Sequence, residues 1–186
     1  MKSGARAVGV AESYARGADR STLAGVVCRA DRTVDGCAFA TCTVGGTDLT
    51  DGIATVYDRL DREDVSYVLV AGVALAWYNI LELESVAERV DRPVIAVTFE
   101  DSSGLESSLR DAFDGQALSE RLERYRALPD RRATTVDGHD RYYRVAGIDP
   151  TEAARVLEHF TAEGGRPEPL RVARFVARAG DDLRRE

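Results

Sequence analysis

Lysine is almost absent from this chain: Lys2 is the only one, so nearly all positive charge is carried by arginine. Histidine is confined to His139 and His159, and cysteine to Cys28, Cys37 and Cys42. An odd number of cysteines in strand-like segments gives neither a disulfide framework nor a zinc site. They read as small buried hydrophobes. No apolar run approaches the roughly 20 residues of a membrane span. The longest, residues 65–78, is broken by Gly72 and reads as a buried strand with its exit loop. Met1-Lys2-Ser3-Gly4 leads straight into a strand-like segment with no signal-peptide core, so a cytoplasmic protein is expected. Gly45-Gly46 lacks the lysine and spacing of a P-loop, and there is no G-x-S-x-G elbow. Ser/His/Asp catalysis therefore has no support.

What is present suits one globular domain. The 186 residues are 44% hydrophobic, enough for a substantial core, and carry a net charge of −7. Arginine in place of lysine suggests a GC-rich genome, and the acidic excess fits a salt-adapted organism. Net negative charge argues against general adhesion to nucleic acid, but it leaves room for a local basic patch.

The first third is strand-rich: residues 5–14, 23–29 and 34–44 are β-branched or small, with a hairpin at Asp31-Arg32-Thr33. After Gly45-Gly46, Ile53, Val56, Tyr57 and Leu60 recur at helical spacing. Residues 66–70 and 93–99 are continuous apolar strands. Between them Ile80, Leu83, Ala87 and Val90 form one helix face. Ser103-Gly104-Leu105-Glu106 reads as a capping box opening another helix. Apolar strands joined by helices predict parallel pairing with both sheet faces covered. The expected fold is α/β: a mixed sheet flanked by helices, with residues 5–14 at its centre beside 66–70. A core of about 5–128 would carry a helical C-terminal elaboration of about 129–186. That last part predicts a hairpin across Asp137-Gly138, a helix capped by Asp149-Pro150-Thr151-Glu152, and a final helix from about 169 to 179.

Several stretches in order resemble an archaeal family of uncharacterised proteins distantly related to endonuclease V. They are residues 7–13 (AVGVAES), 23–27 (LAGVV), 34–36 (VDG), 43–51 (TVGGTDLTD) and 71–73 (AGV). Trp77-Tyr78-Asn79, residues 92–98 (RPVIAVT) and 167–174 (PEPLRVAR) complete the set, which spans most of the chain. The resemblance implies a ribonuclease H-like, endonuclease V-like fold and the handling of deaminated bases in DNA or RNA. It also implies a divalent metal, Mg²⁺ or Mn²⁺, held by clustered carboxylates. In endonuclease V one such aspartate follows a Gly-hydrophobic pair on the first strand, and another precedes a glycine ending the first parallel strand. Here Gly9-Val10 is followed by Ala11, and Gly72 is preceded by Ala71.

Glu12, with Asp48 or Asp51, forms the candidate replacement set for metal and catalysis; Glu12 and Asp48 are the candidate metal ligands. Strand alternation turns Glu12 away from Ala11, making a strand-end acid the simpler reading. Asp48 and Asp51 equally suit a helix's first turn. Trp77, Tyr78 and Asn79 follow a central strand, where aromatics could stack on an unpaired base and Asn79 could bond its edge. Alternatively, the rings fill the core and Asn79 caps the next helix. Arg171, Arg174 and Arg178 share one side of the last helix, either to meet phosphates or to pair with acids. Three functions stay open: a metal-dependent endonuclease, a non-catalytic module binding single-stranded or lesion-bearing DNA or RNA, and a protein-interaction module. No membrane partner is expected, and a homo-oligomer is left open.

Overall fold

In the computed structural model, which describes residues 4–186, the chain runs through three strands first. These are β1 (Arg6–Ser13), β2 (Arg20–Arg29) and β3 (Val34–Thr43), followed by helix α1 (Leu49–Leu60). Then come β4 (Tyr67–Val70), a short turn α2 (Leu75–Tyr78), the two-residue β5 (Asn79–Ile80), α3 (Leu83–Val90) and β6 (Val94–Thr98). The rest is α4 (Glu106–Ala112), α5 (Gly115–Ala127), β7 (Arg132–Val136), β8 (His139–Ala146), α6 (Pro150–His159) and α7 (Glu168–Arg185).

One seven-stranded sheet has the order β3-β2-β1-β4-β6-β8-β7. The pairs β1–β4 and β4–β6 are parallel, and the others are antiparallel. β1 sits beside β4 near the centre, as its small apolar residues predict. Its alternation serves two cores. Val8 and Val10 pack with Ile53, Val56 and Val86 on the α1–α3 side. Ala7 faces Leu157 and Leu170, and Ala11 faces Ala173, on the α6–α7 side. The same division runs through β4 and β6: Val68, Val70 and Val94 go one way, Leu69, Ile95 and Val97 the other. Burial on both faces explains why these strands read as unbroken apolar runs.

The segment from 129 onward supplies β7 and β8 to this sheet and α6 and α7 to its second face. Gly9 makes that face possible. A Cβ there would lie 2.2 Å from the carbonyl carbon and oxygen of Pro169, so the first turn of α7 rests directly on the β1 backbone.

The open edge at β3 is protected by side chains. The carbonyls of Asp35, Phe39 and Thr41 accept hydrogen bonds from Arg62, Arg59 and Arg20. Arginines thus occupy acceptors that a second strand would need, which guards a ten-residue edge carrying no lysine or proline.

Two local expectations fail. Ile80 belongs to β5, and the helix after it begins at Leu83. The capping box does not form: Leu105 occupies the N-cap position with no side-chain cap. Glu106 instead accepts from Arg126 at 2.8 and 2.9 Å, and the Leu105 N–H donates to the Tyr125 hydroxyl at 3.2 Å. A bidentate guanidinium partner outcompetes a single N–H for the carboxylate. The Asp149 cap does form, accepting from Thr151 N–H at 2.8 Å with Pro150 in the first turn.

Candidate functional site

The parallel strands β1, β4 and β6 end together, and a cleft of about 570 Å³ opens there. Its floor includes Ala11, Glu12, Ala71 and Phe99, and its wall includes Arg166, Arg174 and Arg178. Ala71 N–H donates to Val10 O at 3.0 Å, so the two strand ends stay paired up to the cleft. The carboxyl edge of parallel strands is where open α/β sheets take their ligands. Both positions at which the resemblance implies aspartates therefore face a real cleft, and both present methyl groups.

Of the candidate acids, only Glu12 lines this cleft. Its carboxylate accepts from the Ser21 hydroxyl at 2.6 Å. Burial, and then the charge of Glu12, push the nearby Tyr14 phenol above its ordinary value. Asp48 and Asp51 line a different cavity, between α1, β3 and the end of α7. Asp51 is an exposed partner of Arg89. Asp48 accepts from Thr43 N–H at 2.9 Å, from the Thr43 hydroxyl at 2.9 Å and from the Asn79 amide at 2.8 Å. Burial raises its pKa, but these hydrogen bonds outweigh burial and hold the carboxyl below the usual value. Asp48 fastens the 43–48 loop. Arg121 and Arg124 of α5 hold the same loop through the carbonyls of Gly45, Gly46 and Thr47.

Asn79 is fully buried and belongs to that fastening. Its Oδ1 accepts from Leu49 N–H at 3.0 Å, and its amide donates to Thr43 O at 3.0 Å as well as to Asp48. It caps α1, the helix before it in sequence, rather than the helix that follows. Ala76, Trp77 and Tyr78 hold φ of 47°, 55° and 61°. Three successive non-glycine residues in this region cost about 1–2 kcal/mol each. Trp77 stays 48% exposed, with its ring 5.0 Å from Phe113 and its six-membered edge against Gly45. Neither Trp77 nor Tyr78 lines the arginine cleft, although Leu75 of the same turn does.

The arginine stripe divides. Arg171 is held by Glu168 at 2.7 Å. Arg174 and Arg178 reach the cleft and are joined there by Arg166, which spacing along α7 could not reveal. Among the described residues these three have no carboxylate or carbonyl partner. Arg166 lies over the Phe99 ring at 3.8 Å from its centroid. Burial first, then the like charges of Arg174 and Arg141, lower its pKa from the ordinary guanidinium value. Arg141 fixes the loop that presents Arg166 by donating to the carbonyls of Gly164 and Gly165. Gly165 has φ +66°, and a Cβ there would lie 2.0 Å from the Arg141 guanidinium.

Comparison with known proteins bears on this geometry. The model of the family described as Endonuclease dU matches residues 3–180. The chain belongs to that family. A UPF0215 protein of Pyrobaculum calidifontis is 38% identical over 170 residues, covering 90% of this chain and 92% of its own. A crystal structure of a protein of unknown function from Archaeoglobus fulgidus superposes with a TM-score of 0.82 at 22% identity, covering 94% of this chain and 97% of that one. Ciona intestinalis endonuclease V, in complex with a 23mer DNA containing an inosine, superposes at 0.68 and 11% identity, covering 97% and 86%. This Endonuclease dU family member therefore has the ribonuclease H-like mixed sheet of endonuclease V. No helix among its described residues is long and apolar enough to cross a membrane.

The fold family implies a divalent metal, and the donor set of this family member does not fit one. Glu12 and Glu100 are the carboxylates that line the cleft, which they share with three arginines. Among the described residues no group of three His, Cys, Asp or Glu is placed to hold an ion. Hard divalent ions require several oxygen ligands, and methyl groups stand at two central positions. The cysteines offer no alternative: none of the three lines the cleft, and burial pushes the Cys28 and Cys42 thiols up to about 12.

Proposed function

We propose that this protein binds single-stranded DNA or RNA carrying a deaminated base in the cleft at the ends of β1, β4 and β6. The observation that carries the reading is the wall of Arg166, Arg174 and Arg178, unpartnered in an acidic protein. Arginine supplies phosphate contacts in a planar, always-charged form. A single strand fits because a base inside a duplex must leave its stack before a cleft can receive it. The family's name points to deoxyuridine, and the Ciona endonuclease V of similar fold was captured on inosine-containing DNA, so uracil and hypoxanthine are the bases to try first. Binding rather than cleavage is the activity favoured, because the cleft lacks the acids of a two-metal centre.

Fluorescence anisotropy at low salt tests this directly. Uracil- or inosine-containing single strands are expected to bind more tightly than unmodified strands, and affinity should fall as salt rises. Equal affinity for modified and unmodified strands, or no binding at all, would overturn the proposal. The second outcome would leave a protein-interaction module as the reading.

A further inference from the structure

We infer that Arg166, Arg174 and Arg178 form a phosphate site that works without a metal, taking over the charge neutralisation that metal ions provide elsewhere in this fold. The inference rests on the reading of the cleft as a nucleic-acid site and names what holds the strand there. Most of the protein's other arginines are already engaged. Arg6, Arg62 and Arg126 pair with carboxylates, and Arg59, Arg141 and Arg144 with backbone carbonyls. Among the described residues the cleft set forms no ion pair, although like charges repel and Glu12 and Glu100 line the same cleft. An oxyanion removes that repulsion.

The geometry favours a phosphate over a diffuse counterion cloud. Arg166 is fixed in orientation, its guanidinium lying on Phe99 and its loop pinned by Arg141 and by Asp137, which accepts from Gly164 N–H at 3.0 Å. A stacked guanidinium keeps its N–H edge free for a tetrahedral oxyanion. Arg174 and Arg178 lie one turn apart on a helix seated against β1, so they enter from a rigid element. The floor under them includes Ala11 and Ala71 together with Glu12 and Phe99. Carboxylates at those positions would attract a cation. Methyl groups add no further acid there, so three arginines outnumber the two carboxylates, Glu12 and Glu100, that line the cleft.

The test uses the full-length protein and inorganic phosphate as probe, in EDTA and again with Mg²⁺ or Mn²⁺. Phosphate in EDTA is expected to raise Tm in a saturable way, and the divalent ions should leave its affinity within about twofold. Calorimetric titration with Mg²⁺ or Mn²⁺ alone should show little heat. Arg166→Gln and Arg174→Gln should each weaken phosphate by about tenfold. Both residues are accessible from the cleft, and an unchanged Tm without phosphate would show that the variants fold. Phosphate binding that needs Mn²⁺, or that survives both substitutions, would overturn the inference. Phosphate that binds as expected but fails to compete with uracil-containing strands would uphold this site while refuting its use for nucleic acid. Strand binding abolished by EDTA would do the reverse.

Discussion

Gly9→Ala is expected to lower the free energy of unfolding by about 3 kcal/mol or more, at or above the top of the usual range for core overpacking. The added methyl would lie 2.2 Å from the Pro169 carbonyl, and its neighbours there are backbone atoms that cannot rotate away. Relief requires α7 to lift from β1. That would also uncover Leu170 and Ala173, both fully buried. Against a typical total of about 5–15 kcal/mol, such a loss brings the fold near its limit. Urea denaturation of Gly9→Ala beside Gly36→Ala gives the comparison. A Cβ at Gly36 meets nothing within 4 Å, so that variant should stay within about 0.5 kcal/mol of the parent. Equal stability of the two variants would mean that α7 is not seated as described.

Replacing Arg166 and Arg174 together by alanine is expected to weaken binding of a uracil-containing single strand by about 100-fold or more at low salt. Each charge-assisted hydrogen bond to phosphate is worth about 1.5–3 kcal/mol. The slope of log K against log salt should shrink by about 0.7 for each phosphate of a single strand that is no longer neutralised. Arg171→Ala is the matched control. It removes one positive charge from the helix that carries Arg174, but its guanidinium is already held by Glu168. It should weaken binding by no more than a few-fold. If Arg171→Ala costs as much as the double change, binding depends on the overall field of α7 and not on the cleft.

Much of this fold was legible from local pattern. The apolar strands β4 and β6, the hairpin at Asp137-Gly138 and the Asp149 cap each follow from a few neighbouring residues. The misses depend on distant partners. Ser103 to Glu106 has the spacing of a capping box, but Arg126, twenty residues on, takes the glutamate. Asn79 precedes a helix in sequence and caps α1, thirty residues back. At the site, Ala11, Ala71 and Glu12 were found through the resemblance to endonuclease V, and the structure brings them to one cleft. Asp48 and Asp51 follow the same glycine break but serve loop and helix. Arg166 was missed because it lies in the loop before α7, outside the helix that carries Arg174 and Arg178. Its signal was the Gly164-Gly165 pair, which allows the close approach of Arg141 and so fixes the loop. Arg171 carried its own warning: Glu168 stands three residues before it, at ion-pair spacing.

Hydrogen exchange measured with and without a uracil-containing single strand most directly tests the claim that the cleft is the binding site. Protection is expected at the ends of β1 and β4 around residues 11–14 and 71–75, and across 164–178. The 43–48 loop, the first turn of α1 and the cavity beside Phe39 and Leu183 should be unchanged. Protection confined to that second cavity, or spread over the surface with none at 164–178, would contradict the assignment.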